Sequence, residues 1–369
     1  MKLKTLLLYM PALYFVSVKE GGQSYYLRGR PGGGKSFTLR KFPQMMKKVF
    51  PDKEFGIVII NGATLTMSSA LGYMWPEDAP SGRKRSTFTE PFWQYTKEGK
   101  HLSEYDGGII LVDDAHMMDP DLKKIMGEGA YDKVLANHRL PSGWVIWFAG
   151  NRAEDRAGAT RDFDHLITRR NQIDVTDDPE GFVEVLRELK ALPETIEFAD
   201  KHPMVVYMTA PEEQGPYCNP RTLTQTDAML QTLMETFGMD QVPTDTNVVE
   251  LVQGGIGRSA AEAYMKFVIE GHALPKYADI IKDPERVEMP PRERPDLWRL
   301  QAYKLAKDVK VKDAEPAMTY MSRFPEEFQV LFVKAAYAYK PEVAMTPKFG
   351  AWCKKKSALV GLLTVISQG

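Results

Sequence analysis

The stretch Gly29-Arg30-Pro31-Gly32-Gly33-Gly34-Lys35-Ser36, GRPGGGKS, fits the spacing G-x-x-x-x-G-K-[ST] at every position. In loops of this pattern, backbone N–H groups at the start of a helix converge on phosphate groups, and the glycines allow a close approach. We expect Lys35 to contact the terminal phosphates and the Ser36 hydroxyl to hold Mg²⁺. The residues predicted to bind the nucleotide are Gly29, Pro31, Gly32, Gly33, Gly34, Lys35, Ser36 and Phe37. The alternative is a plain turn between a strand and a helix.

The sequence on both sides of this loop predicts an α/β domain. A short strand, Tyr25–Arg28, precedes the loop, and a helix from Lys35 to Phe50 follows it. Continuous apolar runs, typical of strands buried on both faces, recur further along the chain. These runs are Gly56–Ile60, Gly108–Val112, Trp144–Ala149 and, more weakly, Asn171–Val175. Buried strands separated by helical stretches indicate a parallel sheet with helices on both faces, which is the setting that a phosphate-binding loop requires.

The second half of the chain lacks comparable strand signals and is predicted to be helical. At 369 residues, the chain is long enough for about two domains. We expect a nucleotide-binding domain over residues 1–176, a helical domain over residues 177–285 and a helical C-terminal extension over residues 286–369. The helices predicted here are Pro179–Leu189, Glu194–Lys201, Asn219–Phe237 and Thr246–Glu270, with a proline-rich linker over Arg286–Trp298.

The composition narrows the classes of function. With 48 basic and 49 acidic side chains, the net charge is −1, which argues mildly against nucleic acid as the main partner. A local basic stripe remains compatible with this balance. Cys218 and Cys353 lie far apart and are expected to be reduced thiols of a cytosolic protein. The six histidines show no spacing typical of metal ligands, so we expect no zinc site.

The N-terminus superficially resembles a signal peptide, because Lys2 and Lys4 precede an apolar run that extends to Val18. Pro11 interrupts that run, and no cleavage site of the small-x-small type follows it. We therefore expect a buried first helix over Lys4–Tyr14, no association with a membrane and a cytoplasmic location.

Polar residues that suit phosphate chemistry follow two of the predicted strands. Asp113, at the end of the run that starts at Gly108, is expected to hold Mg²⁺, and Asp114 to orient the attacking water. The alternative is that the two acids cap the helix that starts at Ala115. Asn151 follows the Trp144–Ala149 run and is expected to hold the water or the γ-phosphate, although an ordinary turn asparagine is the alternative.

The ordered set of motifs resembles the AAA+ ATPases and, within them, the MoxR-like group, particularly its compact members from bacteria and phages. The resemblance covers most of residues 20–275 and rests on GRPGGGKS, GGIILVDDAH, ANHRLPSGWVIWFAGNRAEDRAGATR, HLITRRNQIDV, NPRTL and VQGGIGRSAAEAYMKFV. It implies an AAA+ P-loop domain with a parallel sheet between helical layers, followed by an all-α lid domain. It also implies hydrolysis of ATP, with Mg²⁺ as cofactor, in a bacterial or phage-infected bacterial cell.

The resemblance assigns further roles residue by residue. Asn151 corresponds to the sensor-1 residue, and Arg221 resembles the sensor-2 arginine of the lid. Arg169 aligns with the arginine finger, which acts on the ATP of the neighbouring subunit, and Arg170 is a second candidate because it replaces the phenylalanine of the family pattern. A finger of this kind implies a homo-oligomeric ring, most often a hexamer. Surface salt bridges are the alternative role for each arginine.

Residues 64–100 lie where MoxR-like proteins carry an insert, a hairpin that faces the central pore. Its large side chains either grip a partner or pack in the core: Tyr73, Met74, Trp75, Phe92, Trp93 and Tyr95. Arg83-Lys84-Arg85, at the predicted tip, is either a solvated loop or a contact to an acidic partner or nucleic acid.

The resemblance favours ATP-driven remodelling of a protein client, with a partner that carries a von Willebrand factor A domain. A DNA-directed motor, such as a helicase, loader or translocase, is the alternative. A slow nucleotide-dependent assembly switch is a third hypothesis, because the family usually has glutamate where this chain has Asp114, and aspartate is one methylene shorter. The segment Lys348–Leu363 matches no role known in the family.

Overall fold

The structure of the chain is a computed structural model, which describes residues 1–19, 23–152, 167, 170–211 and 214–354. The chain divides into two compact units. The first is Met1–Asp178 and the second is Pro179–Gly369. The domain boundary predicted after residue 176 lies close to this division. No helix within the described ranges combines the length and the apolar character that crossing a membrane requires.

A five-stranded parallel sheet forms the centre of the first unit. The described strands of this unit are β1 (Ser24–Arg28), β2 (Phe55–Asn61), β3 (Met74–Asp78), β4 (Lys84–Phe88), β5 (Gly107–Asp113), β6 (Val134–Leu135), β7 (His138–Arg139), β8 (Trp144–Gly150) and β9 (Arg170–Asp174). The sheet has the order β2-β5-β8-β1-β9, and each of its pairs is parallel. The carboxyl ends of its strands therefore share one edge, and the segments that follow β1, β5 and β8 meet there.

Helices cover both faces of this sheet. The described helices of the first unit are α1 (Leu3–Val18), α2 (Lys35–Arg40), α3 (Phe42–Val49), α4 (Met67–Leu71) and α5 (Pro120–Asp132). Because side chains alternate along a strand, Ile146 of β8 packs in one hydrophobic cluster with Met126 of α5. Its neighbour Trp147 packs in the other, with Tyr14 of α1 and Phe42 of α3. The predicted α/β fold, with helices on both faces of a parallel sheet, is confirmed.

Two helix boundaries in the first unit differ from the prediction. The first helix extends beyond the predicted Lys4–Tyr14, and Pro11 lies inside it. The helix predicted over Lys35–Phe50 is two helices, because α2 ends at Arg40 and α3 begins at Phe42. Pro43 lies in the first turn of α3, where a missing N–H costs no helical hydrogen bond, whereas the interior of one long helix would require that N–H.

The predicted insert contains α4 and the antiparallel hairpin β3-β4. The basic triplet was predicted at the tip, but Lys84 and Arg85 lie in β4 itself. Across the hairpin, Lys84 forms an ion pair of 2.6 Å with Asp78, and Arg85 one of 3.0 Å with Glu77. Regular cross-strand pairing therefore engages two of the three basic side chains.

The large side chains of the insert divide by burial. Trp93 is 1% exposed, and its Nε1–H donates to the carbonyl oxygen of Ala70 at 2.7 Å. Trp75, in contrast, is 64% exposed. The exposed members of the set are Tyr73, Met74, Trp75, Phe92 and Tyr95. One aromatic side chain therefore anchors the insert, and the others form its surface.

The second unit is helical in its described part. Its helices are α6 (Pro179–Glu188), α7 (Pro193–Lys201), α8 (Pro203–Val206), α9 (Pro220–Phe237), α10 (Thr246–Ile256), α11 (Arg258–His272), α12 (Tyr277–Lys282), α13 (Pro295–Asp308), α14 (Ala314–Met321), α15 (Glu326–Tyr339), α16 (Pro341–Ala344) and α17 (Pro347–Lys354). Tyr264 of α11, Leu300 of α13 and Phe332 of α15 belong to one hydrophobic cluster. This cluster includes residues from both the predicted lid and the predicted extension, and their separation stays a prediction.

Two predicted boundaries in the second unit are wrong. The single helix predicted over Thr246–Glu270 breaks at Gly257, whose φ is +80°. A side chain there would also approach the carbonyl oxygen of Pro216 to 2.4 Å. The linker predicted over Arg286–Trp298 is shorter, because α13 begins at Pro295, and proline suits the first position of a helix.

Candidate functional site

The glycine-rich loop connects β1 to α2 at the carboxyl edge of the sheet. Gly34 has a φ of +84°, a conformation that favours glycine, and α2 begins at the next residue, Lys35. Gly29 lies so close to the neighbouring backbone that an added Cβ would be 2.9 Å from the carbonyl oxygen of Val175. Its N–H donates to the carbonyl oxygen of Gly150, at the end of β8, at 3.3 Å. The loop is thus fixed to the strand ends on both sides of β1.

Lys35 directs its ammonium group towards oxygen atoms of the loop and of the next strand end. The side chain is only 7% exposed. Its Nζ donates to the carbonyl oxygens of Gly29 at 2.9 Å and Arg30 at 2.8 Å, and to Oδ1 of Asn151 at 3.1 Å. The buried positive charge therefore has oxygen acceptors from two of the predicted motifs.

The acidic pair lies at the same edge of the sheet. Asp113 ends β5, and its Oδ1 accepts a hydrogen bond from the N–H of Asp114 at 3.1 Å. Asp114 has a φ of +50°, and its side chain makes no capping hydrogen bond to the 3₁₀-helix Ala115–Met117 within the described chain. Both carboxylates are half-buried. The capping alternative is therefore unsupported for the Asp114 side chain, whereas Asp113 does accept a local hydrogen bond.

Asn151 has a second neighbour that the sequence reasoning missed. His116, in the 3₁₀-helix after the acidic pair, is 2% exposed. Its Nδ1 accepts from the backbone N–H of Asn151 at 3.2 Å, and its Nε2 lies 3.3 Å from Nδ2 of Asn151. The only signal in the sequence was the position of His116, three residues after Asp113, and that spacing alone did not point to Asn151.

The residues at this edge fit a magnesium–nucleotide complex. Mg²⁺ takes oxygen ligands in octahedral geometry and usually binds through one or two carboxylates together with substrate phosphates and water. Among the described residues there is no group of three or more His, Cys, Asp or Glu that could hold a metal ion. Asp113 and Ser36 would hold the metal together with phosphates, beside the cation of Lys35. The glycine conformations and the helix start at Lys35 supply the backbone part of an anion site.

The three predicted arginines have different settings. Arg170 starts β9 opposite Ser24, whereas Arg28, next to the glycine loop, is opposite Asp174. Arg170 therefore lies four strand residues, about 13 Å, from the edge that carries Lys35. Its guanidinium carbon is 4.3 Å from the ring centroid of Tyr26, a cation–π contact within the chain.

The other two arginines remain predictions. Arg169 lies outside the described residues. Arg221 belongs to the second unit, where it is exposed on the first turn of α9. Its backbone N–H donates to Oδ1 of Asn219 at 3.0 Å, which caps this helix. This capping bond positions the backbone of Arg221 and leaves its side chain at the surface.

Comparisons with known proteins give coarse likenesses of structure. No protein-family model matches the chain, and the search of curated proteins gave no match. Among solved structures, a RuvB mutant from Thermotoga maritima is 11% identical with a TM-score of 0.40, over 77% of this chain and 75% of that chain. Cdc6p from Pyrobaculum aerophilum is 13% identical with a TM-score of 0.40, over 90% of this chain and 84% of that chain. NtrX from Brucella abortus, in complex with ADP, is 14% identical with a TM-score of 0.38, over 91% of this chain and 68% of that chain.

Proposed function

We propose that this chain is an AAA+ ATPase of the MoxR-like kind, which binds ATP and Mg²⁺ at the carboxyl edge of its sheet. The observation that carries the proposal is the position of the Lys35 ammonium, between the glycine loop and Oδ1 of Asn151. Two motifs that lie 116 residues apart in sequence thus meet at one buried cation. A strand–turn–helix junction with no ligand has no need of such a contact.

Each residue of the edge has a defined task in this proposal. Lys35 supplies the cation that phosphate oxygens bind, and Ser36 and Asp113 supply oxygen ligands for the metal. When bound, Mg²⁺ neutralises part of the phosphate charge. Asp114 and Asn151 orient the attacking water, since an acceptor and a polar amide at this edge can hold its protons and its oxygen.

We also propose a protein, and not DNA, as the client. The insert exposes Tyr73, Met74 and Trp75 in succession, and aromatic side chains and Met are enriched in the cores of protein interfaces. Its basic residues Lys84 and Arg85 pair with acids of the same hairpin, which reduces the positive field available to phosphates. A partner with a von Willebrand factor A domain is part of the proposal through the resemblance alone.

Assembly into a ring, most simply a hexamer, follows from an arginine that acts in trans. Arg169 has this role in the proposal, because the guanidinium of Arg170 already has an aromatic partner within the chain. Mixing two inactive variants tests the idea. Lys35→Ala lacks the site and Arg169→Ala lacks the finger, so mixed rings should regain part of the activity, whereas a mixture that stays inactive would contradict a trans finger. Arg170→Ala is the matched control for the neighbouring arginine.

The main test is steady-state hydrolysis of ATP. We expect the native chain to hydrolyse ATP, EDTA to stop the reaction, and Lys35→Ala to reduce turnover to background. Lys48→Ala, an exposed lysine on α3, controls for loss of a nearby charge. Equal turnover in the native chain and Lys35→Ala would refute the site. Strong stimulation by single-stranded DNA would refute the protein client and support the DNA-directed motor.

A slow nucleotide switch is the second candidate, and the side chain of Asp114 favours it. Aspartate is one methylene shorter than the glutamate of the family pattern, so its carboxylate reaches less far towards a water molecule. Asp114→Asn tests the catalytic role, because asparagine also tolerates the φ of +50° at this position and only the charge is lost. If Asp114 acts on the water, turnover should fall about 100-fold. Unchanged turnover at a low native rate would support the switch.

A further inference from the structure

The hairpin β3-β4 of the insert is a two-stranded sheet of its own. Such ribbons are marginally stable in water, and a third strand adds to their stability. Whether another strand can join depends on the backbone groups that each edge presents, and the register of the hairpin determines those groups.

The hydrogen bonds at the two ends of the hairpin reveal which backbone groups face outward. The N–H of Thr89 donates to the carbonyl oxygen of Tyr73 at 2.9 Å, and the N–H of Ala79 donates to that of Arg83 at 2.8 Å. In an antiparallel ladder, hydrogen-bonded and non-hydrogen-bonded pairs alternate, and the backbone groups of the second kind point away from the partner strand. The non-hydrogen-bonded pairs are therefore Met74 with Phe88, Pro76 with Ser86 and Asp78 with Lys84.

The outer edge of β3 is closed to an additional strand. Pro76 lies at the middle one of the three outward-facing positions of β3 and has no N–H. Proline is tolerated there, because the ladder with β4 uses the backbone groups of its neighbours. A strand that approached this edge would meet a proline ring in place of a donor.

The outer edge of β4 is open. Ser86, directly opposite Pro76, is exposed, and so is Lys84. Among the described residues, the outward N–H and C=O groups of Lys84, Ser86 and Phe88 have no hydrogen-bond partner. An exposed edge is a template for a further strand unless charge protects it. The charges of β4, on Lys84 and Arg85, are already paired with acids of β3.

We infer that the outer edge of β4 binds an extended segment of the client polypeptide, which joins the hairpin as a third strand. Another extended backbone offers donors and acceptors at the spacing of alternate strand residues, about 7 Å, and nucleic acid does not. The inference rests on the proposed protein client and names the form in which that client is bound.

The side chains beside this edge indicate which segments bind. Met74 and Phe88 share one face of the hairpin, and Trp75 and Thr87 share the other. The side chains of an added strand would extend both surfaces, so apolar and β-branched residues are favoured and proline is excluded. Segments of this composition are mostly buried in folded proteins, and the edge therefore favours a client that is at least partly unfolded.

Hydrogen exchange of backbone amides tests the inference on the full chain. The probe is a synthetic peptide of alternating threonine and valine with a lysine at each end, added at millimolar concentration. We expect the amides of Lys84, Ser86 and Phe88 to exchange at least about tenfold more slowly with the peptide, while those of Met74 and Asp78 keep their rates. No slowing at the β4 edge, or slowing at the β3 edge instead, would overturn the inference.

A methylated peptide separates backbone pairing from side-chain contact. Methyl groups on two consecutive nitrogens in the middle of the same sequence keep its side chains but obstruct both of its edges. This peptide should leave all the exchange rates unchanged. Equal slowing by the two peptides would contradict strand addition.

Substitutions of Ser86 give the matched comparison on the protein. Ser86→Pro removes the central donor of the edge and copies the feature that closes β3, whereas Ser86→Ala changes only the side chain. We expect Ser86→Pro to abolish the effect of the peptide and Ser86→Ala to retain it, and the opposite result would refute binding at this edge. The indole N–H of Trp93, bonded to Ala70, reports whether the insert stays folded. If that signal changes in Ser86→Pro, the methylated peptide decides the question on the native chain.

A second copy of the chain is the competing occupant of the edge. The exchange rates are therefore also measured without peptide at increasing protein concentration, and protection of β4 that grows with concentration would overturn the inference in favour of pairing between copies. If the native chain and Lys35→Ala hydrolyse ATP equally, the ATPase proposal fails, while the exchange rates still decide strand addition.

Discussion

The two units each bury an ionisable side chain, but its surroundings differ. In the first unit, Lys35 has three oxygen acceptors within 3.1 Å among the described residues. In the second unit, Glu197 of α7 is 1% exposed, and neither of its carboxylate oxygens has a hydrogen-bond partner among the described residues. The nearest cation, Nη1 of Arg299, is 3.8 Å from Glu197 but 2.5 Å from Asp200.

The difference shows what a protein gains by solvating a buried polar group. The oxygens around the Lys35 ammonium replace water, and the same bonds can be exchanged for those of a ligand. Burial raises the pKa of Glu197 to about 8, although the positive charge of Arg299 acts in the opposite direction. Glu197 is therefore neutral near pH 7. The first arrangement suits binding, and the second makes the stability of a helical unit depend on pH.

The largest expected effect comes from replacing the two buried side chains, Lys35 and Glu197, each in its own variant. Lys35→Met should lower ATP hydrolysis about 100-fold or more, because the phosphates lose their cation. Glu197→Gln should leave hydrolysis at pH 6 unchanged, since it replaces a neutral acid with a neutral amide. Hydrolysis rates of the two variants, measured side by side, test this contrast. A loss of activity in Glu197→Gln would show that the two regions are not separate in function.

The next effect is the pH dependence of stability in the second unit. The pKa of Glu197 is higher in the folded chain than the ordinary value of 4.5, so the folded state binds the proton more tightly. The contribution of Glu197 to stability is full below about pH 4.5 and falls as the pH rises towards 8, by a few kcal/mol. Glu197→Gln should be free of this loss and exceed the native chain in stability at pH 8.

Hydrogen exchange of α7 and α13 measures this effect within the second unit, so a separate transition of the first unit does not interfere. Glu235→Gln, an exposed glutamate on α9, is the matched control and should follow the native pH profile. If Glu197→Gln also follows the native profile, the carboxylate is ionised in the folded chain.

The third effect compares two glycines with nearly equal φ. Gly34 in the loop has a φ of +84°, and Gly257 in the second unit has a φ of +80°. An added Cβ would meet the flexible end of Leu3 at 3.0 Å in the first case and the backbone oxygen of Pro216 at 2.4 Å in the second. Gly257→Ala should therefore destabilise its unit by about 1–3 kcal/mol without affecting ATP binding.

Gly34→Ala should destabilise less, because a side chain can move where a backbone cannot, yet it should weaken ATP binding by narrowing the loop. Denaturant unfolding followed by hydrogen exchange, together with nucleotide titration, separates the two outcomes. Equal loss of ATP binding in both variants would contradict the expectation that only the change in the glycine loop affects ATP binding.

The edge of the sheet was predictable, because parallel strands bring their carboxyl ends together whatever lies between them. Lys35, Asp113 and Asn151 could therefore be placed at one edge from the runs that precede them. His116 could not, because its contact with Asn151 depends on the turn after Asp114 and on no repeat in the sequence. The break between α2 and α3 was readable from Pro43, and the prediction of one helix overlooked it.

Burial in the second unit was least predictable. The segment PETIEFADK of α7 has the polar residues of an amphipathic surface helix, yet Glu194 and Glu197 are both buried. Their environment comes from α13, which begins more than ninety residues later and packs against α7. No local pattern carries that information, so the sequence alone could not reveal the acid with the raised pKa.

The smallest expected effect concerns the exposed ion pairs of the insert. Lys84 and Asp78 are 2.6 Å apart, but both side chains are largely exposed, so water competes with the pair and salt screens it. Lys84→Ala should shift the melting temperature by roughly 1 °C or less. Thermal unfolding at low and high salt measures this, with Lys48→Ala as the control, because Lys48 forms no ion pair among the described residues. A larger shift would mean that the ion pairs of the hairpin contribute to the stability of the first unit. Trp93 would then not be the main anchor of the insert.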